Sequence, residues 1–361
     1  MAREELERLG RAALPILAIL SFASGVGATL AVAGDTLGYD FLAYHQAAAR
    51  LLNGQALYDM SYTETGGFGL FYYPPTFAPL ILPLGLLAAT SATWVWISGS
   101  LLAFVVGIWI LPVSRTVRWW IVLLAGLSFP FVYAIKLGQV GPVLFLAFAV
   151  GWRWLENPVW LGVSAALGAA IKLQPGVILV WALLSRRFMA VAAGVAVLAV
   201  LAVVASLLAD LTSWPDFLTL IRTVSDPIAT HQNLTPGAVA FQLGAARDLA
   251  GGLQLASTVA AIAALLAAVR LSTDESSYLV AVIVSQLVSP ILWDHYAMLL
   301  LLPVAYLLAA GRWWALAIPL VTAWPLVGVT PAIAYPVVFW VTLLATLLVG
   351  RAARAQASVT A

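Results

Sequence analysis

Apolar runs long enough to cross a bilayer as helices, about 20 residues each, recur from residue 12 to residue 349 of this chain. No other feature constrains the fold as strongly. Hydrophobic residues make up 63% of the 361, against roughly 45–50% in a soluble globular domain. A water-soluble core of this size cannot hide that much apolar surface. In lipid every backbone N–H and C=O must find a partner within the chain, which leaves helices or a closed barrel. The short alternating segments of a barrel are absent. The sequence therefore predicts an all-α polytopic integral membrane protein, one transmembrane domain over residues 1–361.

Composition removes several other classes. There is no Cys, hence no disulfide, thiolate nucleophile or Cys metal site. A net charge of +2, scattered along the chain, is too small for a nucleic-acid surface. The first apolar run, residues 12–33, is longer than a signal-peptide core and lacks a cleavage site, so it is read as a retained helix. Arg3, Arg8 and Arg11 precede it and place that end in the cytoplasm by the positive-inside bias.

The first helix then delivers residues 34–73 to the opposite face, a loop too long to be a connector. Within it Phe41, Tyr44, Ala48, Leu51 and Leu52 fall near helical spacing and predict an amphipathic helix on the membrane interface. Asn53-Gly54 ends it as a C-cap. Gly66-Gly67 and Gly69 make the next piece flexible.

Further spans are read near residues 119–135, 140–152, 159–171, 176–184, 188–208, 252–269, 278–288, 296–310, 313–329 and 332–349, with a second external loop at 210–248. Alternate connections then carry Arg115, Arg118, Arg153, Arg186, Arg187, Arg270, Arg312, Arg351 and Arg354, the mark of the cytoplasmic side. The opposite side receives Lys136, Lys172, His45, His231, Asp294 and His295. Two crossings between Pro74 and Leu111 would invert this map. One of those two segments is therefore expected to be re-entrant or flat, giving about 12 spans with both ends cytoplasmic.

With only 9% of residues charged, acid–base chemistry has few places to sit. Asp40 stands just outside the first helix, with Tyr44 and His45 about one turn later on the same face. It is either a general base for a hydroxyl or the N-cap of the interfacial helix. Lys136 with Gln139, and Lys172, end two spans away from the arginine side. Each either holds a phosphate or snorkels to the headgroups. Asp294-His295 lies in a polar knot, residues 289–296, opened by Pro290. His295 either meets a phosphate oxygen or belongs to a capped helix end. His231-Gln232-Asn233 in the second loop is either a weaker polar cluster or a solvated loop. Asp35 and Asp40 are not an Asp-X-Asp pair and the histidines are far apart, so no metal site is expected.

In order along the chain these knots read Asp-Phe-x-x-Tyr from Asp40, Asn-Gly-x-x-Leu-Tyr-Asp from Asn53, and Phe-Tyr-Tyr-Pro-Pro from Phe71. Leu-Gly-Gln-Val from Leu137, Ile-Lys-x-x-Pro from Ile171 and Ser-Pro-Ile-x-Trp-Asp-His-Tyr from Ser289 follow. The pattern, covering about residues 35–302, resembles glycosyltransferase family 87 of the GT-C superfamily, whose members include polyprenol-phosphate-mannose-dependent mannosyltransferases. The resemblance implies a membrane enzyme that moves a sugar, mannose foremost, from a polyprenyl monophosphate to an acceptor hydroxyl on a glycolipid or glycan. It implies inversion at the anomeric carbon on the non-cytoplasmic face of the inner (plasma) membrane, with no cofactor beyond the lipid-linked donor. It matches the first-loop base to Asp40, the helix-end lysine to Lys172 and the last motif to His295. The family's middle motif reads closer to Asn-Gln-Ser, where this chain has His231-Gln232-Asn233-Leu234. The rival is a secondary transporter or lipid-linked-sugar flippase, which shares broken helices and lysines but does not require the long first loop. A non-catalytic scaffold leaves the clustering of Lys, His and Asp unexplained.

Overall fold

The computed structural model describes residues 2–61, 70–223 and 226–360. Gly66, Gly67, Gly69 and Glu64 lie outside them, as do the side chains of Arg3, Arg8 and Arg11. Among the described residues the chain is helical, with only an isolated bridge between Ser128 and Ala323 in place of a sheet.

Among the described residues five helices are long and apolar enough to cross a membrane: Ala12–Thr36, Ala89–Ile110, Phe188–Ala209, Arg247–Leu271 and Ala334–Ser358. The pair Phe129–Leu137 and Gly141–Arg153, bent by 118°, would make a sixth if counted as one span. The expected count of about 12 is not met by helices of spanning length. The middle of the chain is built instead from pieces such as Pro158–Ile171, 14 residues, and Val177–Leu184, 8 residues. Their breaks have local causes. Gly138 takes φ +67° as the C-cap of Phe129–Leu137, and Pro142 opens the next helix, where its missing N–H costs nothing. Lys172 is extended, and Gln174–Gly176 turns as a 3-10 segment with Pro175 in its first turn.

Packing is close where glycine permits it. A Cβ on Gly25 would lie 2.2 Å from the Gly126 carbonyl oxygen, and one on Gly162 would lie 2.3 Å from that of Ala190. Small residues thus let Ala12–Thr36 meet Arg115–Leu127, and Pro158–Ile171 meet Phe188–Ala209, backbone against backbone. Phe188–Ala209 turns Met189, Val200, Val203 and Leu207 outward, as a lipid-facing helix does. Asp274–Leu287 is the opposite case, buried from Ser276 to Leu287. Its polar groups are satisfied internally: the Ser276 hydroxyl donates to the Thr346 carbonyl at 2.8 Å, and Ser277 accepts from Trp181 at 3.0 Å.

The bundle has two chemically distinct ends. Pro158–Ile171 runs from Asn157, next to Glu156, to Lys172; at about 1.5 Å per residue this separates the two by roughly 20 Å. At the first end Arg187 pairs with Glu156 at 2.9 Å and Asp274 at 2.7 Å, and Arg354 donates to the Ser272 carbonyl at 3.0 Å. Lys172, Gln139 and His295 share the other end. In the disputed block only Ala89–Ile110 reaches spanning length. The preceding stretch, Pro75–Leu86, begins where the Thr76 hydroxyl donates to the Ala170 carbonyl at 2.9 Å. It ends beside Leu87, whose carbonyl meets His45 at 2.9 Å, so both of its ends lie at the Lys172 end.

Candidate active site

The first-loop helix, Tyr39–Leu52, is anchored by its start. Gly38 is the N-cap at φ +73°, a left-handed conformation that glycine adopts freely. Its N–H donates to the Lys136 carbonyl at 2.7 Å, and a Cβ there would lie 2.5 Å from Thr93. Phe41 is fully buried and stacks on Trp96 at 5.6 Å, while the Trp96 indole donates to the Gly138 carbonyl at 2.7 Å. The apolar face of this helix, Phe41, Tyr44, Ala47 and Ala48, is therefore buried against protein rather than laid on the interface as expected. Leu52 alone of the predicted face is exposed.

This docking places Asp40 beside Gln139. Gln139 Nε2 donates to Asp40 Oδ2, and the cap position belongs to Gly38, so the capping role open to Asp40 in the sequence is not the one it plays. On its other side Gln139 Oε1 accepts from the Tyr73 hydroxyl at 3.3 Å, and Tyr73 meets the Tyr44 hydroxyl at 2.6 Å. The Tyr73 carbonyl accepts from the buried Tyr58 hydroxyl at 2.7 Å.

Lys172 enters from the end of Pro158–Ile171. Its Nζ donates to the Tyr296 hydroxyl at 2.8 Å and sits 5.5 Å from the centre of the Tyr73 ring. Tyr73 therefore touches both the ammonium and the group that holds Asp40. A small cavity opens here, lined by Gln139, Lys172, Gln174, Gln286, His295 and Tyr296 over an apolar floor of Leu144 and Leu299. His295 is only 4% exposed, and among the described residues neither ring nitrogen has a hydrogen-bond partner; nor does Gln174 Nε2. Asp294 Oδ1 lies 3.3 Å from His295 Nδ1 but takes the His295 backbone N–H, at 2.6 Å. Buried polar nitrogens without partners are costly, and the residues that carry these line the cavity.

The knot carrying His295 is held by Asn233, fully buried. Asn233 Nδ2 donates to the carbonyls of Pro227 and Pro290 at 2.6 and 3.0 Å, and its Oδ1 accepts from the N–H of Leu292 at 2.9 Å. The preceding loop is clasped to the helix Arg247–Leu271 by Arg247, 2.6 Å from Asp226. That hydrogen bond holds the Asp226 carboxyl below the usual carboxylate range. In the first loop the Ser61 hydroxyl and N–H do the same for Asp59.

Of the residues singled out from sequence, Asp40, Tyr44, Gln139, Lys172 and His295 come together. Gln139, Lys172 and His295 line the cavity; Asp40 stands behind Gln139 and Tyr44 behind Tyr73, and the remaining residues do not line it. His45 is taken up by the Leu87 carbonyl. Lys136 lies 5.8 Å from the Tyr133 ring centre. His231 and Gln232 are exposed, and Asp294 serves the backbone beside His295. Tyr73, Tyr296 and Gln286 are the additions, and Asn233, read with His231 and Gln232 as a loop cluster, is instead the buried latch. Gln286, a lone amide inside an apolar run, carried a readable signal, since a polar group within a membrane segment marks function by default. Among the described residues no three His, Asp or Glu side chains group to hold a metal ion.

A sequence model of glycosyltransferase family 87 matches residues 71–290, more than half of the chain. The matched stretch holds Tyr73, Gln139, Lys172 and Asn233; Asp40 precedes it and His295 follows it. No curated protein and no solved structure matches the chain.

Proposed function

Because this chain belongs to glycosyltransferase family 87, we propose that its helical membrane domain transfers a sugar, mannose foremost, from a polyprenyl monophosphate to an acceptor hydroxyl on a glycolipid or glycan. The site lies on the non-cytoplasmic face of the inner membrane, and the short central helices complete about 12 crossings between two cytoplasmic ends. The observation that carries the reading is the meeting of Asp40 and Lys172 through one tyrosine. The Asp40 carboxylate is hydrogen-bonded to Gln139, Gln139 to Tyr73, and the Tyr73 ring lies 5.5 Å from the Lys172 ammonium.

The chemistry follows from charge. Asp40 takes the proton of the acceptor hydroxyl as that oxygen bonds to the anomeric carbon. On the opposite face of the ring the bond from that carbon to the phosphate oxygen breaks, and polyprenyl phosphate leaves with the electron pair. Configuration inverts. Lys172 and the unpartnered His295 nitrogens meet the charge growing on the leaving phosphate, in a metal-independent transfer.

Purified protein, radiolabelled polyprenyl-phosphate sugars and a membrane lipid extract test the reading. The expected result is labelled acceptor with release of polyprenyl phosphate. Transfer from nucleotide sugars alone would overturn the donor class. Movement of labelled lipid across vesicles with no new glycosidic bond would establish the flippase instead.

A further inference from the structure

We propose that Gln139 is the positioning residue of Asp40 rather than a contact of the donor, its amide oriented by Tyr73 so that one carboxylate oxygen is held and the other is presented to the acceptor. The inference rests on the assignment of Asp40 as base.

The hydrogen-bond directions are forced by chemistry. An ionised carboxylate only accepts, so the group of Gln139 facing Asp40 Oδ2 is its NH₂. Its Oε1 then faces Tyr73 and must accept from that hydroxyl, at 3.3 Å. A hydroxyl has one proton to give, so at the 2.6 Å contact it is Tyr44 that donates to Tyr73. The chain of donors runs one way, Tyr44 to Tyr73 to Gln139 to Asp40. It is anchored in buried side chains: Tyr44, Tyr73 and Gln139 are 1%, 7% and 7% exposed. Turning the amide over would set its oxygen against the carboxylate and its NH₂ against a hydroxyl already aimed at it. Among the described residues Asp40 Oδ1 accepts no hydrogen bond, which leaves that oxygen to take the proton.

The backbone around Gln139 serves the same end. Gly138, left-handed at φ +67°, turns the chain out of Phe129–Leu137 so that residue 139 faces Asp40. A Cβ on Gly138 would lie 2.7 Å from that of Phe41, the residue after Asp40. The loop bearing the amide and the helix bearing the acid are thus packed as one unit.

The test is the kinetics of Gln139→Ala, Gln139→Glu and Tyr73→Phe beside Asp40→Asn, with melting temperatures in detergent. Gln139→Glu keeps the size of the side chain and removes the N–H donor. Tyr73→Phe keeps the ring beside Lys172, removes the hydroxyl that orients the amide and leaves the Tyr44 hydroxyl without its acceptor. The expected result is a kcat lowered about tenfold to a hundredfold in both Gln139 variants, the effect of losing a charge-assisted hydrogen bond. Tyr73→Phe gives a smaller loss, and donor KM stays within about twofold throughout, as for an interaction realised in the transition state. A raised donor KM at unchanged kcat would make Gln139 a donor contact and overturn the inference. If Gln139→Ala does not fold, the other two variants decide alone. Wild-type turnover by Gln139→Glu with an inactive Asp40→Asn would sink the positioning role and leave the base standing. Full activity of Asp40→Asn would remove both.

Discussion

Lys172 and Tyr296, 124 positions apart in sequence, are joined by a 2.8 Å hydrogen bond from ammonium to phenol. The bond ties the end of Pro158–Ile171 to the turn Asp294–Leu300 and fixes the distance between the lysine and His295. Its partner is neutral, and among the described residues Lys172 makes no ion pair. An ammonium held only by a neutral partner is costly to keep half-buried, and the proposal of an anionic ligand for Lys172 rests on that cost.

Lys172→Ala should therefore raise the donor KM and lower kcat/KM about tenfold to a hundredfold, the range for a charge-assisted contact. Tyr296→Phe, which leaves the charge and frees the side chain, should do so less. Steady-state kinetics with varied lipid donor check both. Unchanged kinetics in Lys172→Ala would reduce the residue to a snorkelling anchor.

The sidedness of the site is open to cysteine labelling, since the native chain has no Cys to interfere. Asn53 and Arg312 are exposed at the Lys172 end and the arginine end respectively. An impermeant maleimide on intact cells should label Asn53→Cys and Lys136→Cys directly, and Arg312→Cys only after permeabilisation. Labelling of position 136 from the cytoplasm alone would put the site on the other face.

Asn233 offers a different kind of check. Its side chain satisfies buried backbone groups of the segment that precedes His295, and leaving such groups unpaired costs about 1–3 kcal/mol each. Asn233→Ala should lower the melting temperature and also raise the donor KM, because the His295 knot loses its hold on residues 290 and 292. Asn233→Asp, which keeps the acceptor for Leu292 but sets a buried carboxylate oxygen against the carbonyls of Pro227 and Pro290, should destabilise at least as much. A destabilised Asn233→Ala with wild-type KM would separate the latch from the site.

How far the sequence could be read follows from the same contacts. Asp40, Lys172 and His295 stood out because charge is rare in so apolar a chain. The helix Tyr39–Leu52 and the turn at Asn53-Gly54 were legible from spacing and from glycine, which takes φ +69° at position 54. Nearness in sequence pairs His45 with Asp40, yet five residues at about 100° each carry it well off that face. Nothing in the sequence marks Tyr73 and Tyr296, because a tyrosine at a segment end looks the same whether it faces lipid or a lysine. The number of spans was the least legible property. Breaks at Gly138 and Lys172 divide apolar sequence into helices too short to be counted by length, and only packing shows which pieces belong together.

Asp40→Asn is the decisive substitution. The structure removes its main ambiguity, since Gly38 rather than Asp40 caps the helix, and the change should cost little stability. The amide of Asn can still accept from Gln139 through its oxygen, so the loop and helix remain docked. What is lost is the proton acceptor. A general base contributes about 10²–10⁴-fold, so the variant should melt near the wild-type temperature, bind the lipid donor with unchanged affinity and lose transfer by that factor. Asp35, Asp59 and Glu64 are the acids nearest to Asp40 in the sequence. Asp35 sits in the 3-10 turn Gly34–Thr36 at the end of the first helix, and Asp59 is engaged with Ser61 and Arg50. Single Asn or Gln variants at these three positions should retain most activity. Substantial transfer by a well-folded Asp40→Asn protein would refute the mechanism, whatever the donor proves to be.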